Sequence, residues 1–334
     1  MAKVIIGIHG LGNKPPKSVL EEWWKLSIEE GFKKMGKPIS PFKFELVYWA
    51  DVMYNKPLDN KITDKDDPFY LNDKYFPSPK NFIVEEHPRR KIILDYLTNQ
   101  IDSLFLNPDF SLNYTYISDT ILRHYFKDLD IYYKEKCKPK DAEECKAKEI
   151  IRQRTAEIIG KYQKDEILII GHSMGSIIAY DVLSFLIPNI NIDTFITLGS
   201  PLGIPTIKSK IAAERKLNHI NTTHLTTPAG VTRNWYNLTD IEDKVAYNYK
   251  LSDDFSENKH NIKPVDYLVN NDYMNNEEKN PHKSYGYLRT PQFSEKLNEF
   301  LLYRKPKFWE KWWRKFIRLF KQLLHHINRN LLHR

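Results

Sequence analysis

Short, continuous apolar runs alternate with helically spaced stretches along much of this chain. Val4-Ile-Ile-Gly-Ile8, Glu166-Ile-Leu-Ile-Ile170 and Thr194-Phe-Ile-Thr-Leu198 are too short and too uniformly apolar for half-exposed strands. They predict strands buried on both faces, as in a parallel sheet. Phe42 to Trp49, Val231 to Leu238 and Val265 to Val269 complete a set of six candidate strands. Between them, residues 18–34 carry Leu20, Trp23, Trp24 and Ile28 at helical spacing, and Ser176 to Leu186 and 291–303 also read as helices. A strand, loop, helix and strand in this order indicate an α/β fold with a mostly parallel sheet flanked by helices.

The pattern loosens from about residue 52 to about 150, where proline, aspartate and tyrosine are frequent and helical stretches fall near 89–106, 115–127 and 142–162. Because the strand pattern resumes at 166, this is expected to be a helical and loop insertion capping the C-terminal edge of the sheet. The chain is thus divided into an α/β domain over 1–304, cap included, and a basic C-terminal segment over 305–334. No internal repeat is visible.

The chemistry begins at Gly171-His-Ser-Met-Gly175, directly behind the run ending at Ile170 and directly ahead of a helix. A serine between a strand and a helix in this pattern is held in a sharp, strained turn, and the flanking glycines let strand and helix approach closely. The expectation is an exposed Ser173 hydroxyl at a helix N-terminus, where free backbone N–H groups favour a developing oxyanion. Such a hydroxyl needs a base to take its proton, and the base needs an acid to fix its tautomer. Asp243 lies five residues past the end of the 231–238 run and is the preferred acid, with Asp240 as second choice. His282, in Asn-Pro-His on the loop after the last strand, is the preferred base. His172 is locked beside the serine, His9 belongs to another loop, His219 and His224 precede the acid, and His260 precedes the last strand. For an oxyanion hole, Met174 follows the nucleophile, and Leu11 sits in the glycine-bearing loop His9-Gly-Leu-Gly12 after the first strand.

Taken together, His9 to Asn13, Gly171 to Ser176, Leu198 to Gly203, the late Asp-Lys-Val-Ala and the Pro-His loop resemble the α/β-hydrolase superfamily, in particular its serine lipases and esterases. The resemblance runs over roughly residues 3–303. It implies Ser173 as nucleophile, His282 as general base, Asp243 as its orienting acid, and Leu11 and Met174 as oxyanion donors. The sequence departs from that pattern in two places. It opens on what would be the family's third strand, and Lys244 stands in the acid motif where proline is frequent.

Charge changes this picture at one end only. The net charge of +8 over 334 residues suggests nucleic acid at first sight. Yet residues 305–334 hold nine Lys/Arg against one acid, which leaves the rest of the chain neutral. In that segment Trp309, Trp312, Trp313, Phe316 and Phe320 fall on one helical stripe, with lysine and arginine on the remainder. That predicts an amphipathic helix lying on an anionic membrane surface, the aromatic residues making the contact. So much aromatic surface exceeds what phosphate contact needs, and no nucleic-acid partner is expected. Cys137 and Cys145 are too few for a disulfide framework and are not spaced as metal ligands. With neither a signal peptide nor a membrane-spanning run, the expected location is cytoplasmic and peripherally membrane-bound. The expected activity is hydrolysis of an ester or lipid substrate without metal or organic cofactor. Thioesterase or acyltransferase chemistry on the same residues, or an inactive membrane-binding scaffold, are the alternatives.

Overall fold

The computed structural model describes residues 1–80, 82, 87–92, 94, 106–107, 110–111, 127–134, 147–220, 224–246, 248–275 and 278–304. Six strands form one parallel sheet: β1 (Lys3–Ile8), β2 (Lys43–Val47), β3 (Glu166–His172), β4 (Ile192–Leu198), β5 (Val231–Asp240) and β6 (Pro264–Val269). Their spatial order is β2-β1-β3-β4-β5-β6. Ile6 faces Ile169 across β1 and β3, and Ile170 faces Ile196 across β3 and β4. This is the mostly parallel α/β sheet that the apolar runs predict.

Uniformly apolar strands follow from covering the sheet on both faces. Val4, Ile6 and Ile8 of β1, with Ile167 and Ile169 of β3, enter one core. The intervening Ile5, Leu168 and Ile170 enter the other. The first core is closed by α2 (Lys127–Lys134), α3 (Ala147–Lys161), α4 (Met174–Asp181) and α5 (Pro205–Leu217). The second is closed by α1 (Lys17–Lys34), the short helix Ser284–Leu288, and α6 (Pro291–Leu302). Trp24 and Ile28 of α1 are wholly buried. Each such side chain contributes about 1.5–3 kcal/mol on leaving water.

Several boundaries differ from the expected ones for local reasons. The strand expected over 231–238 runs on to Asp240, because Thr239 and Asp240 still pair with Leu268 and Val269. Within the 52–150 range, α2 packs on the sheet side, where Leu129 and Tyr132 join Ile151 in the core. Residues 88–92 and 94 are helical, whereas the rest of the 89–106 stretch is almost entirely outside the described residues, as is the 115–127 stretch but for Lys127. Of the 142–162 stretch, Ala147–Lys161 is α3, and 142–146 lie outside the described residues. Residues 305–334, with Trp309, Trp312, Trp313, Phe316 and Phe320, lie outside the described residues, as do Cys137 and Cys145. Among the described residues no helix is long and apolar enough to cross a membrane.

The strand order reverses at β1 and β3, which are neighbours. The chain leaves β1 for α1 over one face and leaves β3 for α4 over the other. Such a switch point opens a crevice beyond the C-terminal strand ends, where open α/β sheets hold their ligands. The crevice depends on close backbone approach. A Cβ on Gly175 would lie 2.1 Å from the Ile8 carbonyl oxygen, and one on Gly171 would lie 2.6 Å from Ser176 Cα. Gly175→Ala is therefore expected to lower the melting temperature markedly or prevent soluble expression. Gly160→Ala, in α3 with nothing within 4 Å of the new methyl, is expected to stabilise by about 0.5–1 kcal/mol. Thermal unfolding of the two variants checks the contrast; equal effects would contradict it.

Candidate active site

Ser173 occupies the bend between β3 and α4 with φ 52° and ψ −128°, a backbone conformation that non-glycine residues hold only under constraint. The surroundings supply the constraint. Ser173 N donates to Leu198 O at 3.0 Å, and its carbonyl accepts from Ser176 N at 2.9 Å and Ser176 Oγ at 2.6 Å. The Ser176 hydroxyl also meets Ser200 Oγ at 2.7 Å, tying the bend to the end of β4. In contrast to the expected exposure, Ser173 is fully buried. The bend turns the hydroxyl into the crevice, where the β1 loop and two histidines cover it. Even a Cβ on Gly10 would fall 2.7 Å from Ser173 Cβ.

His282 Nε2 lies 2.9 Å from Ser173 Oγ, and its Nδ1 lies 2.7 Å from Asp243 Oδ2. The structure thus brings together the serine, the histidine and the preferred acid. Asp243 is buried and well supplied with donors. Tyr287 OH donates to Oδ2 at 2.7 Å, and Val245 N donates to Oδ1 at 2.9 Å. Gly199, with φ +51°, is needed here: a Cβ would lie 2.6 Å from Asp243 Oδ2 and 3.1 Å from His282 Nδ1.

Asp240 sits beside this chain and not in it. Its carboxylate accepts from Glu242 N at 2.8 Å and from Asn271 N at 2.6 Å. Burial raises its pKa, an effect those two backbone N–H donors oppose. Asn271 in turn braces the histidine loop: its amide nitrogen donates to Pro281 O at 2.9 Å and Lys283 O at 2.8 Å, on either side of His282. His172 completes the brace. Its Nε2 is 2.7 Å from His282 O, and since a carbonyl only accepts, the proton is on Nε2. Burial holds His172 well below the ordinary histidine range, so it stays neutral. Neither residue type nor spacing announces Asn271 and Tyr287 in the sequence, because their contacts are long-range; Gly199 enters there only within Leu198 to Gly203.

The β1 loop is shaped by His9, stacked on Trp49 with centroids 4.6 Å apart. Its Nε2 accepts from Trp49 N at 3.0 Å, which leaves Nδ1 to donate to Gly10 O at 2.9 Å. Both ring nitrogens are satisfied only in the neutral form, and burial depresses the pKa accordingly. Among the described residues neither Leu11 N nor Met174 N, the two amides expected at an oxyanion hole, donates a hydrogen bond. No group of three or more His, Cys, Asp or Glu among the described residues is arranged to hold a metal ion.

A cavity of about 360 Å³ opens beside the histidine, walled by the β1 loop, His172, Asp73 and the Asn280–Tyr285 segment. Two lysines enter it. Lys14 Nζ donates to Leu11 O and to Gly12 O, and Lys283 Nζ donates to Asp73 Oδ2 at 2.9 Å. Burial, and next the charge of Lys283, push Lys14 down to about 7 from 10.5. Below pH 7 Lys14 is charged both folded and unfolded. Between about pH 7 and 10.5 it is neutral when folded and charged when unfolded, so folding releases a proton and stability rises with pH across that window. Lys14→Met is expected to flatten this rise in a series of denaturant titrations from pH 7 to 10. A rise as steep as in the unsubstituted protein would rule out the buried ammonium as its source.

No curated protein matches the chain. A family model described as "PGAP1-like alpha/beta domain" matches residues 146–333, more than half of the sequence and a span containing Ser173, Asp243 and His282. The chain belongs to this PGAP1-like family, whose domain is α/β-hydrolase-like and of lipase and esterase type.

Proposed function

We propose that this protein is a serine hydrolase that cleaves carboxylic esters, of acyl or lipid type, through an acyl-enzyme on Ser173. The observation that carries the reading is the unbroken hydrogen-bond chain from Ser173 Oγ through His282 to Asp243. His282 Nε2 takes the hydroxyl proton as Oγ attacks the ester carbonyl. Asp243 keeps the Nδ1–H tautomer in place and stabilises the imidazolium that forms. The tetrahedral oxyanion is received by Leu11 N and Met174 N. Collapse expels the alcohol, which leaves with the proton held on His282. Water, deprotonated by the same nitrogen, then releases the acid. Thioester hydrolysis and acyl transfer would use the same atoms, differing in leaving group and acceptor.

A serine-directed fluorophosphonate probe tests the chemistry. Labelling of the whole protein is expected, with complete loss in Ser173→Ala. Asp243→Asn is expected to lower kcat by about 10³–10⁴-fold, since it inverts the tautomer without moving the ring. Absence of labelling in the unsubstituted protein would leave only a lipid-adhering scaffold on a hydrolase fold. Profiling p-nitrophenyl esters of increasing chain length, with and without anionic vesicles, is expected to favour long chains and vesicles.

Peripheral membrane binding through residues 305–334 belongs to the same reading. It rests on the three tryptophans and nine basic residues of that segment. An esterase held at a lipid surface meets acyl lipids at high local concentration. In the full chain, replacing Trp309, Trp312 and Trp313 together by Ala is expected to abolish co-sedimentation with anionic vesicles while leaving probe labelling of Ser173 intact. Undiminished sedimentation would remove the membrane from the proposal.

A further inference from the structure

Two donors converge on one oxygen of the proposed acid. Asp243 Oδ2 meets His282 Nδ1 at 2.7 Å and also accepts from the Tyr287 hydroxyl at 2.7 Å. Oδ1 is taken by the turn's own amides, Val245 N at 2.9 Å and Ala246 N at 3.4 Å. A carboxylate offers about four acceptor sites, and here each has a protein donor. Tyr287 has one place to send its proton. Its oxygen accepts from Asp240 N at 2.9 Å, and since that amide only donates, the hydroxyl donates to Asp243. Burial keeps the phenol protonated, well above the ordinary tyrosine range. A Cβ on Gly199 would lie 3.1 Å from Tyr287 Cε2, so the glycine that makes room for the acid and the imidazole makes room for this ring as well.

We infer that Tyr287 is a positioning residue which, acting through Asp243, sets how tightly the carboxylate holds the His282 imidazolium. The inference rests on the hydrolase reading and adds a residue to its machinery. Two donors on one oxygen compete for its charge. What the phenol draws away no longer faces Nδ1, so the imidazolium is stabilised less and His282 can serve as a base at lower pH. Ionisable neighbours face the pair from each side. His172, neutral, has its ring centroid 5.0 Å from that of His282 and 6.3 Å from that of Tyr287. The Asp240 carboxylate is engaged by Glu242 N and Asn271 N, Glu242 is paired with Lys279, and Lys244 is exposed. His9, Lys14, Asp73 and Lys283 line the cavity with His282. None of these groups is replaced when Tyr287 is, so a comparison of variants at that position isolates the phenol.

The test is the pH profile of kcat/KM for a p-nitrophenyl ester, on the full-length protein. Tyr287→Phe removes the hydroxyl and keeps the ring, and is expected to move the acid limb up by about half a pH unit or more, with the rate above the limb kept to within about tenfold. A rate lowered equally at every pH, the limb unmoved, is the mark of a merely structural contact and would overturn the proposal. A second variant guards against misfolding of the first. 3-Fluorotyrosine placed at position 287 keeps the hydroxyl as a stronger donor, and is expected to move the limb down; a limb that stays or rises overturns the proposal. If the unsubstituted protein hydrolyses no ester and takes no fluorophosphonate, the hydrolase reading fails by itself, and the effect of the phenol is then read without catalysis. The His282 Cε1–H resonance, assigned by its absence in His282→Asn, is followed by NMR against pH in the unsubstituted and Tyr287→Phe proteins. An upward shift of its titration midpoint sustains the link through Asp243, and an unchanged midpoint overturns it.

Discussion

One close approach governs the rest of the molecule: helix α4 begins against the end of strand β1, so near that Gly175 has no room for a side chain beside the Ile8 carbonyl. The approach fixes three things together. It sets the bend that puts Ser173 at positive φ, lays the β1 loop over the serine, and brings the start of α4 against the His9 carbonyl. Backbone strain of order 1–3 kcal/mol at such a residue persists only where surrounding contacts over-determine it. Here they do, through bonds from Leu198, Ser176 and Ser200. The serine is tied to the end of β4 as well as to its own strand, which would suit the nucleophilic role proposed for it.

The histidine is positioned on a different basis. His282 belongs to a turn closed by Lys283 N donating to Asn280 O at 3.1 Å, and its place is set further by side chains that bind the turn's backbone. Asn271 grips the carbonyls on both sides of it, His172 takes its own carbonyl, and Asn280 receives its N–H at 3.1 Å. Asp240 holds the Asn271 backbone, and Tyr287 joins the Asp240 backbone to the Asp243 carboxylate. The two aspartates that look interchangeable along the chain thus divide the work: Asp243 faces the imidazole, and Asp240 secures the loop that carries it. Loss of Asp240 would therefore reach the site through the loop that carries His282.

How much of this was legible in the sequence depends on how local each determinant is. The sheet was legible because both-face burial forces continuous apolar runs, visible within five residues. The bend was legible because the strand, the glycine spacing and the helix onset all lie within about twenty residues. His282 and Asp243 could be reached by elimination, since strand ends confine where a partner can come from. The choice of Asp243 over Asp240, however, is decided by Gly199, Tyr287 and Asn271, which are remote in sequence. The burial of Ser173 was missed for the same reason: its cover comes from Gly10, more than 160 positions away.

The division between matched and unmatched sequence has a physical counterpart. Ser173, Asp243, His282 and the residues bracing them all lie within the span 146–333 that matches the family. Leu11, Lys14, Tyr70 and Asp73, which line the cavity or bond to its lysines, come from the part before it. The hydrogen-bonded chain Ser173–His282–Asp243 is built by the C-terminal half of the sheet, seated against the end of β1. The cavity beside His282 is drawn largely from the β1 loop and the segment after β2. Lys283 joins the two parts, being the neighbour of His282 and at the same time bonded to Asp73. It ties the wall of the cavity to the loop that carries His282.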